Sequence, residues 1–188
     1  MSRTELFTEH TTLAVLPVLD GSASLSQLAR LWTLVYIGNQ IGISLFAGFL
    51  VVLGPALNVI NPQLFIDIAT VFVDLSPLGM FVGAILAGWL MALLAWMLTS
   101  VGDTISRIVV IFAITFLICV GHLPHVVATN GEIITGMLAG ADISIVEWLR
   151  FVVLATVGNV IGGVVFVALL NYSHVVREAG DPDSETDA

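Results

Sequence analysis

Four long stretches without Asp, Glu, Lys or Arg constrain the fold of this chain more than any other feature. A helix needs about 20 apolar residues to cross the hydrocarbon core of a bilayer. Inside lipid, backbone polar groups can be satisfied only within helices or closed barrels. Each stretch is long enough to cross as a helix: Leu31–Leu53, Leu78–Val101, Ile108–Asn130 and Phe151–Tyr172, the last with a possible start near Val146. We therefore predict an all-α membrane protein with four spans, and a fifth apolar piece, Leu13–Leu19, that is too short to cross.

The composition agrees with a membrane protein and excludes several other classes. The chain is 58% hydrophobic, against about 45–50% in soluble domains, and its charge is acidic, with five arginines, no lysine and fourteen acids. This balance argues against binding to nucleic acid. The single cysteine, Cys119, rules out a disulfide framework and a CxxC metal site. No nucleophile–base pair or metal-ligand spacing indicates an enzyme, and no cofactor motif is present.

The arginines predict how the chain is oriented. Four crossings place Arg30, Arg107 and Arg177 on one side, and the positive-inside rule makes that side cytoplasmic. Only Arg150 then lies outside, with the loops Gly54–Pro77 and Gly131–Ile145. We expect a multi-pass protein of the plasma membrane, with a membrane domain at 1–172 and a polar, acidic, disordered cytoplasmic tail at 173–188.

Two of the apolar stretches resemble each other. The segments "RLWTLVYIGNQIGISLF" (30–46) and "RFVVLATVGNVIGGVVF" (150–166) align without gaps at an offset of 120, with seven of seventeen positions identical. They share Gly-Asn-x-Ile-Gly, which places Asn39 and Asn159 at matched positions inside two spans. Because these spans run in opposite directions, we predict an inverted repeat of the kind that surrounds many permeation paths. Chance similarity between two apolar helices is the alternative.

The same offset indicates what precedes the first copy. Segment 122–130 maps back to 2–10, and the span Leu78–Val101 maps to positions before residue 1. We therefore expect a partial bundle of about four full spans plus a half-helix, with one N-terminal helix and half of another missing. Four GxxxG pairs, among them Gly38/Gly42 and Gly158/Gly162, predict that the helices of this bundle pack closely.

The stretch "GHLPHVVATN" (121–130) predicts a helix broken at membrane depth. A proline disrupts a helix interior but suits the first position of a new helix. We therefore predict half-helices over Ile108–Val120 and Pro124–Leu138, with the break at Gly121–Leu123. The new N-terminus attracts anions, and His125 in its first turn would donate a hydrogen bond and exchange a proton. The alternative is a structural histidine bonded to a nearby carbonyl.

Two further residues belong to this candidate site. His122 lies inside the break, where a loop or packing role is the alternative, and a two-histidine metal site lacks a third ligand nearby in the sequence. The repeat places Thr8 on the opposite half of the bundle near the midplane, where its hydroxyl would orient His125.

These motifs resemble the formate/nitrite transporter family. The segments that carry the resemblance are "ELFT" (5–8), "QLARLWTLVYIGNQIG" (27–42), "ILAGWLMALLAWM" (85–97), "HLPHVVA" (122–128) and "ATVGNVIGGVVF" (155–166). Their order and spacing run from about Glu5 to Tyr172. The resemblance implies an aquaporin-like six-helix fold, a homo-pentamer, and one pore per protomer for small monovalent anions. It also implies that His125 is the central pore histidine, that Thr8 is its hydrogen-bond partner, and that Phe7 belongs to a cytoplasmic-side constriction.

The chain departs from the family pattern beside the histidine. His122 replaces a glycine, Pro124 replaces a glutamate, and Thr129 replaces an asparagine. These changes indicate a divergent branch, so the resemblance does not by itself identify the substrate as formate or nitrite.

We therefore expect a channel or transporter for a small weak-acid anion, with passage coupled to protonation at His125. The pore and substrate residues that we predict are His125, Thr8, Phe7, His122, Thr129, Asn39 and Asn159. The expected partners are the anion, protons, the lipid bilayer and further copies of the chain. The alternatives are an aquaporin-like channel for small neutral solutes and a non-transporting fragment or scaffold.

Overall fold

A computed structural model describes residues 6–165, and all of its regular elements are helices. The acidic tail and the end of the fourth predicted span lie outside the described residues. The helices are α1 (Phe7–Leu13), α2 (Leu16–Leu19), α3 (Leu25–Ala56), α4 (Pro62–Val73), α5 (Pro77–Ser100), α6 (Thr104–Val120), α7 (Ala128–Leu138) and α8 (Ile145–Gly163). The prediction of an all-α fold is confirmed for this part of the chain.

Within residues 6–165, three helices, α3, α5 and α8, are long and apolar enough to cross a membrane. Helix α5 matches the predicted span to within one residue at each end. Helix α3 is longer than predicted, because the capping box of Ser24 and Gln27 starts it six residues before Leu31. Helices α6 and α7 form the interrupted third span. The short piece Leu13–Leu19 contains the last residue of α1 and all of α2.

The predicted outward loop, Gly54–Pro77, contains a helix that the sequence reading missed. Asn61 caps the N-terminus of α4 through its side chain, and Pro62 occupies the first helical position. The buried side chains Phe65, Ala69 and Phe72 recur every three or four residues, which gives α4 one apolar face. That face packs mainly against α7, so α4 is an integral part of the bundle.

Small residues bring α5 and α8 into close contact. A Cβ atom at Gly162 would overlap the Ile85 carbonyl, and one at Gly158 would overlap Ala84. On the α5 side, a Cβ at Gly88 would overlap the backbone of Asn159. This pair of helices therefore packs backbone to backbone, as GxxxG spacing allows in lipid.

Among the other GxxxG pairs, the predicted close packing is found at single glycines and is not found at Gly38/Gly42. Gly38 and Gly42 on α3 have no atom within 4 Å of a built Cβ. Gly136 packs against Ala69, but Gly140 has a φ of 103° and ends α7 instead of packing a helix. The core lies where α5, α7 and α8 meet, around the largest fully buried side chains, which include Phe151, Met80, Ile133 and Val126.

Candidate functional site

The site is built around the interruption between α6 and α7, which spans residues 121–127 and is called the break below. The prediction that the second half-helix begins at Pro124 is wrong, because α7 begins at Ala128. Asn159 of α8 is the physical reason. Its Oδ1 accepts the Val126 N–H at 2.8 Å, and its Nδ2 donates to the Pro124 carbonyl at 3.0 Å. These two bonds hold the chain in a non-helical path just before α7.

His125 therefore lies ahead of α7 and caps it, instead of occupying its first turn. Its carbonyl accepts the Thr129 N–H at 2.9 Å, and its ring Nδ1 accepts the Ala128 N–H at 3.1 Å. In return, the His125 N–H donates to Thr129 Oγ1 at 3.2 Å. This reciprocal arrangement resembles a capping box, and it satisfies amide groups that a helix start otherwise leaves without partners.

The cap also determines where the His125 ring carries its proton. Because Nδ1 accepts a hydrogen bond from an amide, it holds no proton, and the neutral ring has its N–H at Nε2. Nε2 lies 2.8 Å from Thr8 Oγ1, so it donates to that hydroxyl. A second proton would bind at Nδ1 and would displace the Ala128 amide. Thr8 is fully buried and His125 is 4% exposed.

Asn39 and Asn159 make equivalent contacts. Asn39 Oδ1 accepts the Phe7 N–H at 2.8 Å, at the start of α1. Asn159 Oδ1 accepts the Val126 N–H over the same distance, just before α7. The two asparagines are matched positions of the repeated segment, so each copy of the segment holds the start of one short helix. The Tyr36 hydroxyl, 3.3 Å from Thr156 Oγ1, joins another matched pair of positions directly.

Phe7, Thr129 and His122 occupy three different environments. Phe7 is buried edge-on against Trp32 and Tyr36, with centroid distances of 6.0 and 5.1 Å. Thr129 is buried and bonded to His125. His122 is exposed, has a φ of 45°, and sets its ring edge-on to Phe72 at 6.1 Å. Within residues 6–165 no hydrogen bond joins His122 to His125 or Thr8, so the structure does not bring the two histidines into one cluster.

A polar network across α3, α7 and α8 was not predicted from the sequence. The Trp148 indole N–H donates to Asn130 Oδ1 at 2.7 Å, and Asn130 Nδ2 donates to Gln40 Oε1. An indole nitrogen can only donate, so it fixes the orientation of both amides. Gln40 Nε2 is therefore left buried and has no acceptor within the described part of the chain. Polar side chains inside apolar stretches were the available signal, but no spacing relates residues 40, 130 and 148.

Glu132 is the other residue that the sequence reading missed. The predicted outward loop began at Gly131, yet α7 continues to Leu138 and carries this carboxylate on its second turn. No group of three or more His, Cys, Asp or Glu side chains among the described residues is arranged to hold a metal ion. The site therefore offers a helix start, a neutral imidazole and a buried hydroxyl, which suit hydrogen bonding to a small polar solute.

Comparisons with known proteins agree with the resemblance read from the motifs. The family model for formate/nitrite transporters matches residues 1–173. The inner membrane protein YfdC of Escherichia coli (strain K12) is 33% identical over 181 residues, covering 93% of this chain and 56% of that protein. A probable formate transporter of Methanothermobacter thermautotrophicus is 29% identical, covering 93% of this chain and 69% of that protein.

One solved structure has the same arrangement of helices. An ion channel of the FNT family superposes with a TM-score of 0.78 and 21% sequence identity, covering 90% of this chain and 69% of that one. At this identity the likeness concerns the fold. The chain spans 56% and 63% of the lengths of YfdC and of the uncharacterized transporter YrhG of Bacillus subtilis (strain 168), to which it is 32% identical.

Proposed function

Because the chain belongs to the formate/nitrite transporter family, we propose that it moves a small monovalent weak-acid anion, such as formate or nitrite, across the membrane together with a proton. The family consists of membrane transporters and channels, which supports transport as the general function. The observation that supports co-transport of an anion with a proton is the pairing of His125 Nε2 with Thr8 Oγ1 at a helix start inside the bundle.

Desolvation explains why a proton accompanies the anion. A bare anion in an apolar constriction loses the hydration that stabilised it, whereas its conjugate acid carries no charge. The helix start at α7 favours negative charge nearby, which draws the anion toward His125. Protonation at that point lets the solute continue as a neutral acid.

The bonds of His125 define what the proton transfer requires. At rest, Nδ1 caps Ala128 and the Nε2 proton faces Thr8. To bind a second proton, the ring has to release the Ala128 amide. An approaching anion would stabilise the imidazolium formed in this way, so protonation and anion entry would favour each other. Thr8 positions the ring and does not need to exchange a proton itself.

The test is uptake of formate and nitrite into proteoliposomes that contain the purified full chain. We expect His125→Phe to abolish uptake, and His125→Asn to retain some flux without its pH dependence. Thr8→Val should reduce flux by about tenfold or more, in line with the loss of a positioning contact. The matched control is Thr33→Val, because Thr33 is exposed on α3 and its hydroxyl donates to the Ala29 carbonyl of the same helix. Flux that stays pH-dependent in His125→Asn would refute the mechanism.

Two measurements separate the alternatives. Stopped-flow swelling with glycerol and urea would reveal a channel for neutral solutes. In such a channel, His125→Asn should leave the pH dependence of the flux unchanged. A potential-sensitive dye distinguishes anion movement alone from movement with a proton, because only the former generates a membrane potential. Absence of flux for every solute would favour the scaffold alternative.

The oligomer, location and repeat belong to the same proposal. We expect a homo-pentamer in the plasma membrane with a cytoplasmic C-terminus, as the family resemblance and the arginine distribution indicate. The inverted repeat gains support from the equivalent bonds of Asn39 and Asn159. It gains more from Tyr36 and Thr156, because matched residues can contact each other only near a twofold axis.

A further inference from the structure

Glu132 lies in an apolar cleft beside the site. The cleft has a volume of about 210 Å³ and is lined by residues of α3, α4 and α7. Except for Glu132 and Thr135, its lining is apolar, with Ile43, Phe46, Ala47, Leu50, Phe65 and Ile68 forming the walls contributed by α3 and α4. Glu132 itself is half-buried. An ionised carboxylate is costly in such surroundings, and ionisable residues within membrane bundles mark ion or proton pathways.

The basic residues of the described chain leave this carboxylate without an ion pair. Arg30 and Arg107 lie near the N-terminal ends of α3 and α6, and Arg150 donates its Nη2 to the Val73 carbonyl. The titratable groups on the elements packed against α7 do not line the cleft either. These are Arg30 and Tyr36 on α3, Asp67 and Asp74 on α4 and its end, and Glu147 and Arg150 on α8.

Glu132 lies one helical turn beyond the residue that holds the His125 amide. Thr129 Oγ1 accepts the His125 N–H at 3.2 Å. Thr129 and Glu132 are three residues apart on α7, and side chains at that spacing are neighbours on a helix surface. A change of charge at Glu132 therefore acts close to the residue that contacts His125.

We propose that Glu132 is a second proton-binding residue of this transporter, placed on α7 seven residues beyond His125 and one helical turn beyond Thr129. The ligand is a proton exchanged with water at the mouth of the cleft. The proton binds one carboxylate oxygen and leaves from it again, and no other bond forms or breaks. The inference rests on the proposed function for its role in transport, but proton binding at Glu132 can be measured without any transport.

The direct test is labelling with dicyclohexylcarbodiimide, an apolar reagent that adds to protonated carboxyl groups in apolar surroundings. The carboxyl proton moves to the carbodiimide as the carboxylate oxygen bonds to its central carbon, and the adduct rearranges to a stable acylurea. We expect peptide mass spectrometry of the intact, reconstituted chain to find the label on Glu132, with a yield that falls as pH rises. Glu132→Gln should lose the label.

The matched control is Asp67→Asn, which removes an exposed carboxylate from the neighbouring helix α4. This variant should retain both the label on Glu132 and its pH dependence. A Glu132 that is not labelled at any pH, or is labelled equally at all pH values, would overturn the proposal. Because glutamine is close to glutamate in size, a monodisperse elution profile is expected for Glu132→Gln and should be verified first.

The second test is the pH profile of formate uptake. Glu132→Gln should lose the part of the pH dependence that coincides with carbodiimide labelling, while Glu132→Asp should retain it and Asp67→Asn should match the wild type. An unchanged profile in Glu132→Gln would contradict the coupling to transport. If the wild type moves no anion but is labelled in a pH-dependent way, the proposed function fails and proton binding at Glu132 stands. If flux depends on His125 but Glu132 stays unlabelled, only the present inference fails.

Discussion

Helices α3 and α8 share a sequence pattern and differ in what covers them. On α8, Gly158 and Gly162 are buried against α5, and Asn159 is inaccessible to solvent. On α3, the matched Gly38 and Gly42 are exposed and meet nothing within 4 Å. In the most apolar window of each helix, 28% of α8 is buried but only 11% of α3. Within the described residues, the same motif is thus a helix contact in one copy and an open surface in the other.

The largest expected loss of stability comes from replacing the matched glycines, which tests whether α3 and α8 differ in packing. Gly162→Leu places a side chain against the backbone of Ile85 and Trp89, which cannot rotate away, and should destabilise the fold by about 3 kcal/mol or more. Gly42→Leu should change stability by no more than about 0.5 kcal/mol. Thermal unfolding followed by fluorescence-detected size exclusion measures both. Equal destabilisation would show that the α3 face is covered in the assembled protein.

The second-largest loss of stability is expected at the matched asparagines, Asn159 and Asn39. Asn159→Leu leaves the Val126 amide and the carbonyls of Ala84 and Pro124 without this partner, at a fully buried position. We expect a loss of about 2–3 kcal/mol, since each unsatisfied buried group costs about 1–3 kcal/mol before relaxation. Asn39→Leu should cost less, because Asn39 is only half-buried. Denaturant titration of the two variants compares them, and a larger loss for Asn39→Leu would contradict the burial argument.

Gln40 sharpens the comparison, because the matched position on α8 is Val160. Gln40→Val removes a buried donor that has no acceptor among the described residues, but it also removes the acceptor of the Asn130 amide. Because these two effects oppose each other, the stability should stay within about 1 kcal/mol of the wild type. Asn130→Leu should cost more, since it leaves the Trp148 indole without its acceptor. Denaturant titration followed by the intrinsic fluorescence of the four tryptophans measures the stability of both variants. A severe loss for Gln40→Val would mean that its Nε2 has an acceptor in the assembled protein.

The smallest effect concerns the contact between matched positions. Tyr36→Phe removes one long hydrogen bond between half-buried hydroxyls, so the loss should be about 1 kcal/mol or less. A double-mutant cycle with Thr156→Val measures the interaction itself. A coupling energy near zero would show that the two hydroxyls lie close together without stabilising the interface.

The sequence predicted the spans best where length and charge decide them. Helix α5 lies within one residue of its prediction, because its start carries a serine cap with Pro77 at the first position and its interior has no charge. Helix α4 was missed because twelve residues are too few to cross a bilayer, so the span criterion does not detect it. The break was located from Pro124, but its extent was wrong, since the Asn159 side chain that prolongs it comes from a different helix.

The candidate site divides in the same way. His125 and Thr8 were predicted as partners from the repeat and the family resemblance, and the structure places them 2.8 Å apart. Their roles in transport remain predictions. The network of Gln40, Asn130 and Trp148 was not predictable, because its members are spread over more than a hundred residues and no periodicity relates them. Glu132 was assigned to the outward loop 131–145, although the half-helix predicted to end at Leu138 includes it and α7 does end at Leu138.

The sequence by itself determined that this chain is a bundle of apolar helices with one interrupted span, because bilayer thickness and proline geometry act on local stretches. The tertiary structure alone decided which polar groups meet, since Thr8 and His125 are 117 residues apart in the chain. It also decided that Gly158 and Gly162 pack against α5. The physical reason is that a hydrogen bond or a close approach between helices depends on the position of the partner, and the motif on one helix does not contain that position.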